Sequence, residues 1–256
     1  MPSSALPASR PDPLQRQRVV TSAVAVAAVA GATFAVAVSI DALVATDAGF
    51  VRRALALLCV GGAVVLALAA RHLDAPSFGA ANVVTLARGA LTLLLVAVLT
   101  APATAKAVPA AAAGWLLVAL ALPAVILDGF DGRLARARGE ASAFGARFDM
   151  ETDALLILVL AALAWQYGKA GAWILLAGLA RYLFVAASYV SPWLSRALPP
   201  SRRRQTVCIV QIGTLIACVS PVVPRPASDG VALVGLALLV WSFTLDVAWL
   251  ARQPRA

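Results

Sequence analysis

Eight long apolar runs restrict the fold of this chain more than any other feature. They lie at about residues 19–44, 54–70, 83–101, 109–127, 153–166, 172–193, 206–223 and 230–251. A helix needs about 20 apolar residues to cross a bilayer, and most of the runs approach or exceed that length. The chain is also 62% hydrophobic and only 13% charged, which is too apolar for a soluble domain. We therefore predict an all-α polytopic membrane protein with about eight spans.

The sequence divides into three parts. Residues 1–18 are rich in Pro, Ser and Arg and are predicted to be a disordered basic N-terminus. The first apolar run is too long for a cleavable signal sequence and is interpreted as a membrane span. Residues 19–75 then form two transmembrane helices, and residues 76–256 hold the other six.

Lys and Arg are unevenly distributed between alternate loops. With the N-terminus inside, the inner segments hold fourteen of the 21 basic residues, the outer loops hold five and two lie within spans. The positive-inside rule then predicts that both termini are cytoplasmic. The net charge of +9 is explained by this topology, and without a basic stripe interleaved with aromatic residues we predict no nucleic-acid partner.

Carboxylates are concentrated in one short stretch on the predicted cytoplasmic side. Six of the twelve lie within 26 residues: Asp128, Asp131, Glu140, Asp149, Glu151 and Asp153. Helical i,i+3 and i,i+4 neighbours share a face, so Asp128 pairs with Asp131, and Asp149 pairs with Asp153. Glu151 points roughly the other way. Each pair is expected at the end of a helix, facing the same membrane surface.

Four converging carboxylates repel one another unless positive charge lies between them. Two divalent cations would balance that charge, and hard oxygen ligands without nearby His or Cys favour Mg²⁺, Mn²⁺ or Ca²⁺ over Zn²⁺. The alternative is a set of solvated acids at helix ends, which the matched spacing disfavours. Small residues and arginines between the two pairs suit the approach of phosphate oxygens and indicate a phosphorylated substrate.

The whole stretch forms one motif. It runs Asp128-x-x-Asp131-Gly132-x-x-Ala135-Arg136, eight residues, Gly145, three residues, Asp149, three residues, Asp153. This motif resembles the signature of the CDP-alcohol phosphotransferase family, with every defining position present at the family spacing. The resemblance implies a six-helix membrane enzyme, here with two extra N-terminal helices, that uses two divalent ions, Mg²⁺ or Mn²⁺. Such an enzyme transfers the phosphate-bearing group of a CDP-linked alcohol to a hydroxyl, releases CMP and forms a homodimer.

The resemblance also implies roles for individual residues. The four aspartates of the motif would hold the metal ions, and Asp153 would in addition accept the proton of the acceptor hydroxyl. The nucleotide would be bracketed by the smaller motif residues and one arginine: Gly132, Ala135, Arg136 and Gly145.

A second stretch, Asn82-Val-Val-Thr85-Leu-Ala-Arg88, resembles the beginning of the family's first core helix, although Ala81 replaces the frequent Pro. Asn82, Thr85 and Arg88 share one helical face and are assigned to nucleotide binding. An Arg well inside a span is costly and by default faces a polar cavity. The alternative is a helix cap at Asn82 and a snorkelling Arg88.

Further arginines are candidates for binding the phosphate of an acceptor. Arg181 lies inside an apolar run without an acid in the same run, and Arg202, Arg203 and Arg204 precede the seventh run. Snorkelling of Arg181 and anchoring of the triple Arg at anionic lipid remain alternatives. These arginines favour a phosphorylated acceptor. The sequence after Arg204 lacks a Gly-Lys-x-Lys-Thr stretch of the kind associated with family members that use glycerol phosphate, which counts against that acceptor.

Together these features predict a transferase of phospholipid biosynthesis in a bacterial-type inner membrane, with a cytoplasmic active site. It would move a phosphatidyl group from CDP-diacylglycerol to a small polar alcohol, phosphorylated or not. One alternative moves a headgroup from a CDP-alcohol to diacylglycerol. Another is a transporter or scaffold with a non-catalytic ion site, which is disfavoured because transporter sites usually lie near the membrane midplane.

Overall fold

The computed structural model of the chain describes residues 13–44, 46, 49–100, 110–138 and 142–253, except the side chains of residues 13, 110 and 130–138. These residues form eight α-helices and no β-strand. The helices are α1 Pro13–Val44, α2 Phe50–His72, α3 Ala80–Leu99, α4 Ala110–Arg138, α5 Ala143–Gln166, α6 Leu175–Val190, α7 Arg202–Val219 and α8 Ala227–Ala251. Short 3₁₀ turns precede α6 at Ala172–Ile174 and follow it at Pro192–Ser195. The all-α class predicted from the sequence is confirmed.

Six segments among the described residues are long and apolar enough to cross a membrane. They lie in α1 to α4, in α6 with its preceding turn, and in α8. The other two helices carry charge near their N-termini, namely aspartates and a glutamate in α5 and three arginines in α7. The chain is therefore an integral membrane protein, and the count of eight spans stays a prediction.

The first helix begins earlier than expected. Helix α1 starts at Pro13, so residues 13–18 are helical, and their assignment to a disordered N-terminus was wrong. Proline is favoured in the first helical turn because its missing N–H needs no partner there. The Gln and Arg residues that follow are good helix formers despite their polarity.

The acidic pairs also lie further inside their helices than the apolar runs indicate. Helix α4 continues past Asp128 to Arg138, and α5 begins at Ala143, well before Asp149. Ser142 caps α5 by accepting a hydrogen bond from the backbone N–H of Gly145 at 3.0 Å. The expectation that each pair ends a helix was wrong, because apolar runs mark the part of a helix in lipid and not its ends.

Four helices form a ring at the centre of the protein. Helix α3 packs on α4 and α5, and α7 packs on the other side of both. Each contributes a leucine without exposed surface to one apolar cluster: Leu94, Leu117, Leu160 and Leu215. Helix α6 packs on α5, α8 packs on α7, and α1 and α2 pack on α3. The ring sets the relative positions of the side chains described below.

The two N-terminal helices contact the ring through a second apolar cluster, which includes Val65, Phe78 and Phe144. The rings of Phe78 and Phe144 meet edge to face, with centroids 6.2 Å apart. The backbone N–H of Phe78 donates to the hydroxyl of Thr21 at 3.2 Å. These contacts hold the connection between α2 and α3 against both α1 and α5.

Candidate metal and substrate site

Three carboxylates from two helices converge inside the ring. Asp128 of α4 and Asp149 and Asp153 of α5 each place an oxygen within 4.8 Å of the others. Asp149 and Asp153 stand one turn apart on the same face of α5, as their spacing predicts. Their side chains, like that of Asp128, are partly exposed, at 40%, 20% and 24% respectively. The site can therefore admit a ligand from outside the protein.

For four other residues of the predicted motif, the structure describes the backbone and not the side chain. The side chains of Asp131, Gly132, Ala135 and Arg136 are not among those described, although their backbone belongs to α4. Their assignment to metal and nucleotide binding therefore stays a prediction.

Arg88 of α3 lies against all three carboxylates. Its Nη1 donates to Asp149 and its Nη2 to Asp153, and Nη2 lies 2.8 Å from Oδ1 of Asp128. Its Nε donates to the carbonyl of Ala124 at 3.0 Å, which fixes the guanidinium to α4. The side chain is only 1% exposed, so this arginine faces the polar interior and does not snorkel to the membrane surface.

The charge at this cluster suits a divalent cation. With all three aspartates ionised, one guanidinium leaves an excess of about two negative charges at close range. The oxygen donors are those preferred by Mg²⁺ and Mn²⁺. The described residues thus fit the group of ions that the motif implies.

Asn82 and Gly145 bring α3 and α5 together beside this cluster. The Oδ1 of Asn82 lies 2.7 Å from where a β-carbon on Gly145 would stand, so only glycine permits this approach. Asn82 donates from Nδ2 to the carbonyl of Phe78 at 2.5 Å, and the hydroxyl of Thr85 donates to the carbonyl of Ala81 at 3.2 Å. Asn82, Thr85 and Arg88 are all buried, as expected for residues sharing one face of α3.

Cys208 of α7 is a neighbour of the cluster that sequence analysis missed. Its Sγ lies 3.8 Å from Oδ2 of Asp153. No spacing in the sequence relates the two residues, because the contact arises from packing of α7 on α5. The thiol contacts the carboxylate oxygen that does not pair with Arg88.

Arg181 has a carboxylate partner on the neighbouring helix. Its Nη2 lies 2.5 Å from Oε1 of Glu151, which points from α5 towards α6 and away from Asp149. Both side chains are partly exposed. The expected orientation of Glu151 is confirmed, and its pairing with Arg181 was not foreseen because the two residues lie in different apolar runs.

Two of the three consecutive arginines form a second charged group with α8. Arg203 donates from Nη1 to the carbonyl and hydroxyl of Ser242, each at 2.6 Å, and from Nη2 to Asp246. Nη1 of Arg204 lies 3.2 Å from the same carboxylate, whereas Arg202 is exposed. Asp246 is buried and was missed, although an acid in an apolar run by default has a cationic partner.

Comparison with known protein families gives one result that agrees with this geometry. The family model described as CDP-alcohol phosphatidyltransferase matches residues 78–247. The match begins just before α3 and ends within α8, so it includes the ring and leaves out α1 and α2. No match to the chain was found among curated proteins or among solved structures.

Proposed function

The chain belongs to the CDP-alcohol phosphatidyltransferase family, and we propose that it moves a phosphatidyl group from CDP-diacylglycerol to a small polar alcohol and releases CMP. Family membership makes it a membrane transferase of phospholipid synthesis. The observation that carries the finer proposal is the convergence of Asp128, Asp149 and Asp153 inside the matched region.

Asp128, Asp149 and Asp153, together with Asp131, would hold two divalent ions, Mg²⁺ or Mn²⁺. When bound, such ions neutralise charge on the diphosphate and polarise its phosphorus–oxygen bonds. Arg88 would fix the orientation of the carboxylates, because it contacts one oxygen of each of the three described aspartates.

Asp153 would accept the proton of the acceptor hydroxyl. Its Oδ1 is paired with Arg88, and its Oδ2 is 3.8 Å from the thiol of Cys208. A base works best when it is held within hydrogen-bond distance of the proton it takes. The hydroxyl oxygen then bonds to the phosphorus that carries the lipid, and the bond from this phosphorus to the CMP oxygen breaks.

The nucleotide would lie beside the junction of α3 with α5. Gly132, Ala135, Arg136 and Gly145 would bracket it, and Asn82, Thr85 and Arg88 would line its site. The contact between Asn82 of α3 and Gly145 of α5 supports one shared site for the residues of these two helices.

The acceptor is proposed to carry a phosphate bound by Arg181 and by Arg202, Arg203 and Arg204. Such an acceptor would compete with Glu151 for Arg181 and with Asp246 for Arg203 and Arg204. Arg202 is exposed and would be the first of these residues that an anion meets.

The distribution of basic residues supports an orientation for the active site. We place it, with both termini, on the cytoplasmic side of a bacterial-type inner membrane, and we propose a homodimer from the family resemblance.

The proposed reaction is tested with purified protein, CDP-diacylglycerol, Mg²⁺ or Mn²⁺ and a panel of acceptors. The panel contains glycerol 3-phosphate, inositol phosphate, inositol and serine, and the readouts are CMP release and product mass. We expect one acceptor to gain a phosphatidyl group. If no acceptor reacts, but diacylglycerol gains a headgroup from a CDP-alcohol, the proposed direction of transfer is wrong.

A further inference from the structure

An apolar cleft opens behind the carboxylate cluster, on the other side of α3 and α5. We call it the lateral cleft; its volume is about 230 Å³, and its walls include Val26, Ala30, Leu58, Gly61, Leu93 and Leu155. Gly89 and Thr152 also line it, whereas their sequence neighbours Arg88 and Asp153 pair with each other in the carboxylate cluster on the other side. The cleft is thus separated from the candidate active site by the α3–α5 wall.

The surroundings of the lateral cleft point to hydrocarbon as its content. The volume is several times the roughly 30 Å³ of one water molecule, and an apolar cavity does not hold water. Val64 and Leu68 stand at its rim with 51% and 44% of their surface exposed. Because α1, α2 and α3 are apolar enough to span a membrane, this rim faces lipid.

The lateral cleft continues into a polar pocket of about 290 Å³ at the C-terminal end of α2. The two cavities share Val65, Leu68, Phe148 and the carboxylate-bearing Glu151, and the pocket adds His72 and Arg147. From Leu58 to His72 the helix rises about 21 Å, which exceeds the roughly 15 Å of one leaflet's hydrocarbon. An apolar cleft therefore leads, over the depth of one leaflet, to a polar pocket.

The polar pocket is lined by two basic side chains, His72 and Arg147, and by two acids. Glu151 lines it but is paired with Arg181 at 2.5 Å, and Asp74 is the other acid of the lining. Arg18 donates to the carbonyl of Asp74 at 3.4 Å, and its Nε is buried with no hydrogen-bond partner among the described residues. His72 and Arg147 are the lining side chains that can donate hydrogen bonds to a phosphate.

We propose that the lateral cleft and the polar pocket together bind one anionic glycerophospholipid, with an acyl chain in the cleft and the phosphate beside His72 and Arg147. About half of the lining residues belong to α1 and α2, which lie outside the region that matches the family. The bound lipid fills the space between these helices and the α3–α5 wall. It is distinct from the lipid that the transfer reaction would consume.

The test uses phosphatidylglycerol with a diazirine in its acyl chain, at trace amounts in nanodiscs of phosphatidylcholine without added metal. After illumination, labelled peptides of the full chain are identified by mass spectrometry. We expect labels on the cleft-lining segments of α1, α2 and α3 that fall at least fivefold with excess unlabelled phosphatidylglycerol. Labelling that does not saturate, or that is no stronger than on exposed residues of α8 such as Val234, overturns the proposal.

Paired variants locate the site. Ala30→Trp fills the cleft and should abolish the saturable labelling, whereas Ala28→Trp, on the exposed side of the same helix, should leave it unchanged. Equal labelling of the two variants contradicts the proposal. If Ala30→Trp does not fold, the wild-type saturation and the retention of one phospholipid in native mass spectrometry decide the question.

The proposed position of the lipid phosphate is tested with the double variant His72→Ala, Arg147→Gln. The control is Arg52→Gln, a change on exposed surface. In the wild-type protein, unlabelled phosphatidylglycerol should compete with the labelled lipid better than phosphatidylcholine does, and the double variant should lose this preference. An unchanged preference would refute the proposed position of the phosphate. Labelling should also persist in Asp153→Asn. A result in which transfer fails but labelling survives would overturn the proposed function and leave the lipid site standing.

Discussion

Arg88 is the only described basic side chain in contact with Asp128, Asp149 and Asp153, and it is almost completely buried. Removing Arg88 would take away one positive partner of all three carboxylates, and breaking a buried ion pair in this way typically costs about 3–5 kcal/mol, less where the carboxylates reach solvent. A divalent ion bound by the same carboxylates would supply part of the missing positive charge. Arg88 would thus link the stability of the fold to occupancy of the proposed metal site.

Arg88→Gln should lower the unfolding temperature strongly in EDTA and less in Mn²⁺, because the ion compensates the aspartates. The measurement is thermal unfolding of detergent-purified protein, with Arg52→Gln as the control on exposed surface. A loss of stability that is the same with and without Mn²⁺ would show that Arg88 and the ion do not share these carboxylates.

Asp153→Asn should reduce CMP release by about 10²- to 10⁴-fold, the usual contribution of a positioned general base, while the protein remains folded. The amide keeps the shape of the side chain but cannot take up the proton. Asp229→Asn is the matched control, because Asp229 pairs with Arg225 at the start of α8. Transfer at near wild-type rates in Asp153→Asn would remove this residue as the base.

At the scale of the helices, sequence spacing predicted which residues share one face of a helix. It did not predict which residues of different helices contact each other. The i,i+4 spacing of Asp149 and Asp153 was sufficient to place them on one face, and both carboxylates converge as expected. The contacts of Cys208 with Asp153 and of Arg181 with Glu151 join different helices. They depend on how the helices pack, which no spacing in one sequence specifies.

Gly178 allows α6 to lie directly against α5. A β-carbon at this position would meet the backbone Cα of Leu158 and stand 2.8 Å from its Cβ, so Gly178→Ala should destabilise the protein by about 1–3 kcal/mol through overpacking. Gly213→Ala is the control, because a β-carbon at Gly213 meets nothing within 4 Å and alanine is the better helix former. Both are measured by unfolding in detergent. Equal stability of the two variants would contradict the packing described for α5 and α6.

At the scale of the whole molecule, the sequence predicted the all-α class and the membrane location, because both follow from the length and apolarity of the runs. The number of spans depends on α5, which carries Asp149 and Asp153 in its first half, and on α7, whose first turn carries three arginines. Helix α5 has 24 residues and a length of about 36 Å, enough to cross about 30 Å of hydrocarbon. Asp149 would then lie about 9 Å inside the N-terminal end of α5.

Eight spans place the connection after α5 and the connection after α6 on opposite sides of the membrane. In a cysteine-free background, Lys169→Cys should react with a membrane-impermeant maleimide added outside intact cells, and Ala197→Cys should react only after lysis. Protection of Lys169→Cys until lysis would mean that α5 does not cross, and the topology derived from the basic residues would be wrong.

Saturable binding of Mn²⁺, followed by electron paramagnetic resonance of the purified protein, tests the central claim most directly. We predict that wild-type protein binds Mn²⁺ and that Asp128→Asn or Asp149→Asn weakens this binding at least tenfold. Glu151→Gln, a change on the same turn of α5 that faces Arg181, should leave it unaltered. Equal Mn²⁺ affinity in all four proteins would contradict the claim that these aspartates form the metal site.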